Sequence, residues 1–219
     1  AEFLLDVGCG TAPLLAAAVP HAKRLAGVDI ALRWLMLGKK RLLETGLQIP
    51  LFCACAEALP FAGEQFDRVI LDSAAEHFSD QQKGLAECHR VIVPHGRLFL
   101  STPNRYSLGP DPHMGLPAAG YLPKRLQDRY ALSQGAIPPK RNLLWVKTLP
   151  RLLRNAGFTP PRLLLPRISD TQREQAGSLL KRFVDLYLAA QAFPVSRHLL
   201  FLIGPSLLAV TEKPVSAQE

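Results

Sequence analysis

The residues with the clearest chemical potential form a glycine-rich turn near the start of the chain. The segment Asp6-Val7-Gly8-Cys9-Gly10-Thr11 follows a short apolar run and precedes a helical pattern. Glycine adopts backbone conformations that are closed to other residues and leaves room for a ligand beside the main chain. A turn of this kind at the carboxyl end of a strand is where open α/β sheets bind ligands. A tight strand–helix turn without a ligand would use the same glycines, so the turn alone leaves both interpretations open.

An acidic residue at the end of the second predicted strand indicates what such a ligand contains. Asp29 follows Gly10 by 19 residues, a distance at which a carboxylate can accept hydrogen bonds from both hydroxyls of a ribose. Position 13 is proline, so the third glycine of the dinucleotide fingerprint is missing. Without a small residue at this position, a pyrophosphate cannot approach the backbone closely. The spacing therefore favours a nucleoside-containing ligand over a nicotinamide or flavin dinucleotide.

The elements that must position these residues alternate regularly along the chain. Apolar runs predict strands, and leucine-rich amphipathic stretches predict helices: strands at 3–7, 25–29, 51–54, 66–71, 96–102, 162–165 and 205–211, and helices at 14–19, 31–45, 81–91, 145–156 and 171–192. Strands that alternate with helices of this length specify βαβ units, and hence an α/β fold with a parallel sheet.

The positive charge is confined to one block that interrupts this alternation. The net charge is +8, yet residues 103–167 alone carry +9 and hold 11 of the 19 prolines. This composition predicts an irregular, proline-rich basic insert after the fifth strand, residues 106–141, with short helical pieces near 124–131. Four cations lie close to the strand end and to this helix: Arg105, Lys124, Arg125 and Arg129. We expect them to attract an acidic acceptor or an anionic surface, although a solvated face that only keeps the protein soluble has the same composition.

Composition excludes several other classes of protein. The chain has 219 residues, of which 48% are hydrophobic and 20% charged, so a folded core is expected rather than disorder. No apolar run reaches the roughly 18–20 residues of a membrane-spanning helix. Four cysteines are too few for a disulfide framework, and alternation along a strand points Cys53 and Cys55 to opposite faces, so buried cysteines and no metal site are predicted. We expect a cytoplasmic location, and a chain that begins inside its gene product because its first residues already form a strand.

Five ordered blocks carry a resemblance to a known family. They are Leu5–Thr11, Val28–Ile30, Ala56–Phe61, Gln65–Val69 and Glu87–Gly96. Their order and spacing resemble the class I S-adenosylmethionine-dependent methyltransferases, and in particular the small-molecule branch that includes the ubiquinone and menaquinone C-methyltransferases. The resemblance covers about residues 2–105. It implies a Rossmann-like α/β fold, a seven-stranded mostly parallel sheet flanked by helices, and S-adenosyl-L-methionine as the cofactor.

The resemblance assigns the carboxyl ends of the first two strands to the cofactor. Asp6 and the backbone of Gly8 and Gly10 would face the methionine portion. Asp29 would hold the ribose hydroxyls, and Ile30 would pack on the adenine.

The next two strands supply the rest of the implied cofactor site. Ala56 would offer its backbone amide to the adenine, with Glu57 beside it. Asp72 and Ser73, which end the fourth strand, would line the floor near the sulfonium.

Three positions depart from the family pattern. The third motif glycine is replaced by Ala12, which narrows the turn slightly. The acidic residue that often accepts from the adenine amino group is replaced by Cys55, which puts one cofactor hydrogen bond in doubt. His95 stands in the usual Pro-Gly-Gly turn, where no functional need is evident.

Catalytic residues are not assigned by the resemblance, because a sulfonium methyl group is already activated and alignment supplies much of the rate. His77, at the mouth of the expected pocket, is the candidate general base. A histidine that only hydrogen-bonds the local turn is the alternative. His113, in the insert, and Arg105 are the candidate substrate contacts.

The predicted organisation is one methyltransferase domain over residues 1–219, with a cofactor-binding half (1–105), a substrate lid (106–141) and a C-terminal half of the sheet (142–219). The expected function is methyl transfer to a small or medium-sized acceptor, with anionic and lipid-like acceptors among the options. A nucleic-acid methyltransferase, suggested by the basic block, is not favoured because no RNA- or DNA-binding motif accompanies the charge. A non-catalytic relative that only binds the cofactor is the third hypothesis. Peripheral membrane contact through residues 179–190 also stays open.

Overall fold

The computed structural model describes residues 1–111, 113–175 and 177–215. The strands are β1 (Phe3–Val7), β2 (Arg24–Asp29), β3 (Leu51–Cys53), β4 (Phe66–Asp72), β5 (Ile92–Pro103), β6 (Arg162–Leu164) and β7 (Ser206–Glu212). The α-helices are α1 (Pro13–Ala18), α2 (Leu32–Glu44), α3 (Gln81–Val91), α4 (Lys124–Ser133), α5 (Thr148–Asn155), α6 (Asp170–Gln175), α7 (Ser178–Gln191) and α8 (Pro194–Ile203).

The strands form one sheet in the order β3-β2-β1-β4-β5-β7-β6. The first five are parallel, and β7 runs antiparallel to both of its neighbours, β5 and β6. The predicted seven-stranded, mostly parallel sheet is therefore confirmed. The strand order reverses between β1 and β4, and in open α/β sheets the crevice at such a reversal is the place where ligands bind.

Helices cover both faces of the sheet, which explains why β1 is buried on both of its faces. Leu4 packs with Leu15, Leu35 and Leu42 in a cluster under α1 and α2. Its neighbour Leu5 points the other way, into the larger cluster under α3 and α5. Each face of β1 is thus fixed by its own core, and the register that places the glycine-rich turn cannot slip.

The insert is held by side chains and isolated backbone hydrogen bonds rather than by pairing in the sheet. Asn104, two residues before the insert, donates from Nδ2 to the carbonyl oxygens of Leu202 and Gly204, at 3.0 Å each, and within the insert the N–H of Leu108 donates to the carbonyl oxygen of Ile203. Arg141 ends it and forms an ion pair with Asp111. The helical piece that was predicted near 124–131 is present as α4.

The second half differs from the prediction in its helices. The predicted single helix over 171–192 is two helices, α6 and α7, because Gly177 between them has extended backbone (φ −57°, ψ 158°); position 176 lies outside the described residues. Helix α8 was not predicted. Among the described residues, no helix combines the length and the apolar character that a membrane span requires.

Candidate functional site

A cavity of about 280 Å³ opens at the carboxyl ends of β1, β2 and β4. Its wall comes from the ends of these strands and from the segments that follow β2, β3 and β4. The lining residues are Val7, Gly8, Val28, Asp29, Ile30, Ala31, Trp34, Ala54, Cys55, Ala56, Glu57, Ser73, Ala74, His77, Phe78 and Ser79. Of the predicted cofactor contacts, Asp6, Gly10 and Asp72 lie behind or beside this wall rather than in it.

The two glycines of the turn do different work. Gly8 has φ +80°, and a Cβ placed there would overlap the Cβ of Ala74 after β4. Gly10 has φ +53°, with no atom of the described residues within 4 Å of the position of a Cβ. Gly8, which lines the cavity, is therefore required by the packing of two strand ends, whereas Gly10 is required by its backbone conformation alone.

Ala12 takes a left-handed conformation where the family pattern has its third glycine. Its φ is +58°, and its side chain is fully buried beside Leu15. The substitution therefore strains the backbone, a different effect from the narrowing of the turn that the sequence suggested.

Asp29 ties the glycine-rich turn to the start of α2. Its Oδ2 accepts from the backbone N–H of Gly10 at 2.9 Å, and its Oδ1 accepts from the N–H of Ala31 at 2.7 Å. A carboxylate has about four lone-pair sites, so both oxygens can still accept from a ligand. Asp29 thus builds the wall of the cavity and also faces into it.

Asp6 lies buried at the end of β1, behind the cavity wall. Burial, with further contributions from the charges of Asp72 and Asp29, raises the pKa of Asp6 to about 7. Three carboxyl groups therefore converge under the glycine-rich turn. This arrangement favours a ligand that carries positive charge.

The outer end of the cavity is aromatic and aliphatic. Ile30 and Trp34 are 73% and 42% exposed, although both are apolar, and both line the cavity. Trp34 was missed by the sequence analysis; its position four residues after Ile30, on the first turn of α2, is the signal that could have found it. Ala56 and Cys55 form the opposite wall.

Glu57 holds the segment after β4 in place. Its Oε1 accepts from the backbone N–H groups of Ser79 (2.7 Å) and Asp80 (3.2 Å). This bracing role was not anticipated from the sequence. It fixes Phe78, a buried residue, and Ser79 as part of the cavity wall.

The structure brings two of the predicted acceptor-side residues together. The rings of His77 and His113 meet edge to face with centroids 5.4 Å apart, and His77 lines the cavity. Burial, followed by the charge of Arg141, lowers the pKa of His113. Arg105 is not part of this pair: it is exposed, and its guanidinium lies 5.4 Å from the ring of Tyr106.

The cysteines do not follow one pattern. Cys53 is exposed and Cys55 is half-buried, so the expectation that both are buried is wrong, because β3 is a short edge strand. Cys9 and Cys88 are buried, and burial raises the pKa of each thiol to about 12. Among the described residues, no group of three potential metal ligands is found.

Comparisons with known proteins agree with this geometry. Residues 5–100 match a family model described as a methyltransferase domain. A ubiquinone biosynthesis O-methyltransferase from Coxiella burnetii is 33% identical over 104 residues, which cover 48% of this chain and 44% of that protein. The chain thus spans less than half the length of the curated relatives it matches.

Two solved structures share the fold over nearly the whole chain. The YcgJ protein from Bacillus subtilis superposes with a TM-score of 0.63 at 19% identity, covering 97% of this chain and 92% of that one. Phosphoethanolamine N-methyltransferase 2 from Haemonchus contortus, solved with phosphomonomethylethanolamine and S-adenosylhomocysteine, has a TM-score of 0.64 at 15% identity and coverages of 97% and 49%. At these identities the likeness establishes the fold, and the Rossmann-like prediction is confirmed.

Proposed function

We propose that the protein, whose residues 5–100 match a methyltransferase-domain model, is a class I S-adenosylmethionine-dependent methyltransferase that transfers a methyl group from S-adenosylmethionine to the hydroxyl group of a small molecule. The choice of a hydroxyl group rests on the curated relatives, which are named O-methyltransferases. When bound, the cofactor supplies an electrophilic methyl group on a sulfonium.

The charges of the site fit this cofactor. S-adenosylmethionine carries a sulfonium and an ammonium group, and both are positive. Asp6, Asp29 and Asp72 are close enough for the last two to raise the pKa of the first, so a cation bound beside them would relieve their mutual repulsion. Asp29 would hold the ribose hydroxyls with the lone pairs that its backbone bonds leave free.

The apolar end of the cavity fits an adenine ring. Ile30 and Trp34 would cover one face of the ring, and Ala56 would donate its backbone N–H to the ring edge. Cys55 stands where an acidic residue often accepts from the adenine amino group, so this end of the site binds by packing more than by hydrogen bonds.

His77 is the residue that we assign as general base for a hydroxyl acceptor. It lines the cavity, and its Nδ1 lies 3.4 Å from the carbonyl oxygen of Lys140. A neutral imidazole that donates from Nδ1 keeps Nε2 as the acceptor for a proton. The edge-to-face contact with His113 limits the rotation of the ring.

The observation that carries the proposal is the cavity at the strand reversal, in which Asp29 joins the glycine-rich turn to α2. Calorimetry with S-adenosylmethionine and S-adenosylhomocysteine tests the binding step. A labelled methyl donor, offered with a metabolite extract before and after nuclease treatment, tests the transfer step. We expect both cofactor forms to bind and the label to enter a small, nuclease-resistant product.

Three outcomes contradict the proposal in different ways. Failure of both cofactor forms to bind would remove the methyltransferase function. Binding without label transfer would favour a non-catalytic relative. Label that is lost from the product fraction on nuclease treatment would favour a nucleic-acid substrate.

A further inference from the structure

A buried polar cluster lies behind the cavity wall, where the end of the insert meets the segment that carries His77. The side chain of Arg141 is 3% exposed, and its Nη2 donates to Oδ2 of Asp111, whose side chain is 6% exposed. The other terminal nitrogen, Nη1, is buried and has no hydrogen-bond partner in the described part of the chain. A buried N–H without an acceptor is rare in native structures.

The same cluster also contains a buried hydrogen-bond acceptor that lacks a donor. Glu76 is fully buried. Its Oε2 accepts from Oγ1 of Thr102 at 2.9 Å, whereas Oε1 has no partner among the residues described. A carboxylate oxygen that loses water without gaining a donor is costly to bury.

The two segments that carry these groups are hydrogen-bonded to each other. The backbone N–H of Asn142 donates to the carbonyl oxygen of Glu76 at 2.7 Å, and the carbonyl oxygen of Lys140 lies 3.4 Å from Nδ1 of His77. Arg141 stands between these two residues in the chain, so its backbone runs alongside the segment that holds Glu76 and His77. The charges of Arg141 and Glu76 both act on His113, whose ring contacts that of His77.

We propose that Arg141 and Glu76 form a recognition subsite for the methyl acceptor. Arg141 Nη1 donates to a carbonyl oxygen of the acceptor, and Glu76 Oε1 accepts from a hydroxyl or amino group of the same molecule. This inference rests on the proposed function and names the chemistry of its substrate, a neutral compound that carries both a hydrogen-bond donor and a carbonyl oxygen.

Charge decides between a neutral and an acidic acceptor. By formal charge, the cluster has two acidic side chains, Asp111 and Glu76, and one basic side chain, Arg141, which leaves one surplus negative charge. A carboxylate ligand would add a second charge in a site with little water, where like charges repel strongly. The subsite therefore rejects acids, contrary to the acidic acceptor that the basic composition of the insert suggests.

Three small probes test the subsite on the full chain saturated with S-adenosylhomocysteine. They are 3-hydroxyacetophenone, which has the donor and the carbonyl; 3-hydroxybenzoate, which replaces the ketone by a carboxylate; and 3-methoxyacetophenone, which lacks the donor. We expect the first to bind at least about tenfold more tightly than either of the others, the loss that a missing or mismatched buried hydrogen bond produces.

Glu76→Gln gives the sharper test, because it turns one acceptor into a donor and removes the surplus charge. In this variant 3-hydroxybenzoate should gain at least about tenfold over its wild-type affinity while 3-hydroxyacetophenone weakens. Glu44→Gln, the same change at an exposed site on α2, should leave both affinities unchanged. Should Glu76→Gln fail to fold, Arg141→Lys retains a cation for Asp111 but has a single terminal nitrogen, and it should lose the preference for the ketone.

The outcomes separate the subsite from the function on which it rests. Equal binding of the three probes to the wild-type protein, no binding of any of them, or an unchanged preference in a folded Glu76→Gln variant would overturn the subsite. Loss of S-adenosylhomocysteine binding by the wild-type protein would instead overturn the proposed function.

Discussion

The part of the chain that supplies the lining of the cavity, residues 1–103, and the insert, residues 106–141, are held in place by different means. In the first, sheet register and backbone hydrogen bonds set the position of every strand end, and side chains such as Asp29 only reinforce it. In the second, side-chain contacts such as that of Arg141 with Asp111 act together with isolated backbone hydrogen bonds such as that from Leu108 to Ile203. A site whose shape is set by the backbone suits a ligand that is the same in every related protein. A site whose shape is set by side chains can change its ligand through single substitutions.

The largest expected effect comes from substituting a glycine whose backbone position is fixed by packing. Gly8→Ala places a Cβ on that of Ala74 and should cost about 3 kcal/mol or more, with loss of cofactor binding. Gly115→Ala in the insert has a similar positive φ, +66°, but open space around it among the described residues, and should cost about 1 kcal/mol through strain alone. Thermal unfolding and calorimetry measure both. Equal costs would mean that the insert constrains its backbone as tightly as the cofactor half.

The second effect distinguishes the two roles of Asp29, which are to stabilise the glycine-rich turn and to bind the ligand. Asp29→Ala should weaken S-adenosylmethionine binding roughly ten- to a hundredfold, through loss of charge-assisted hydrogen bonds of about 1.5–3 kcal/mol. Asp67→Ala is the matched control, because Asp67 Oδ1 accepts from two backbone N–H groups, of Glu2 and Phe3, away from the cavity. Both variants should lose stability, but only the first should lose affinity. Unchanged cofactor affinity in a folded Asp29→Ala protein would remove Asp29 from the site.

A smaller effect concerns pH. Because the pKa of Asp6 is raised to about 7, the group keeps its proton in the folded chain where the unfolded chain has lost it. Stability from Asp6 therefore falls as pH rises from about 4 to about 7. The ionised form attracts the cationic cofactor, so affinity for S-adenosylmethionine should rise about tenfold between about pH 6 and about pH 8.

Calorimetry across that range checks the pH effect. Asp6→Asn should flatten the profile and stabilise the cofactor-free protein above neutral pH. His198→Gln, which removes an exposed imidazole on α8, should leave the profile unchanged. A profile that keeps its slope in Asp6→Asn would assign the titration to another group.

The smallest effect is expected in the insert. Arg105, Lys124, Arg125 and Arg129 are all exposed, and Lys124 is already paired with Asp128. Neutralising all four should change the affinity for 3-hydroxyacetophenone by less than about twofold at low or high salt, because exposed charges act on a neutral ligand only weakly. If the wild-type protein binds 3-hydroxybenzoate more tightly than 3-hydroxyacetophenone, and the variant loses that preference at low salt, the acidic acceptor is restored and the Arg141–Glu76 subsite is contradicted.

The strands and the glycine-rich turn were predictable because their signals are local. An apolar run, a glycine pair and Asp29 at a fixed spacing determine one end of a sheet. Helix α8 was missed because Pro194 reads as a stop signal, although proline is also favoured in the first turn of a helix, where it stands here.

The residues of the candidate site were predictable only where they lie close together in one segment of the chain. Trp34 is a large apolar residue of the kind that fills a core, and its spacing of four residues from Ile30 is the one sequence signal that places it at the cavity. Arg141 and Glu76 lie 65 positions apart, and contacts of their chain neighbours, such as the hydrogen bond from Asn142 to the carbonyl oxygen of Glu76, bring their segments together. Such a pair depends on tertiary packing, for which the pattern of hydrophobic residues carries no information.

The place of β7 has a consequence for the order in which the protein assembles. This strand comes last of the seven along the chain, yet it lies between β5 and β6. During synthesis, β1 to β5 can pair as soon as they emerge, but one edge of β5 stays uncovered until residues 206–212 arrive, and β6 gains its sheet neighbour only then. We therefore expect refolding to show a late phase in which the hydrogen-exchange protection of β6 and β7 appears together, after that of β1 and β4.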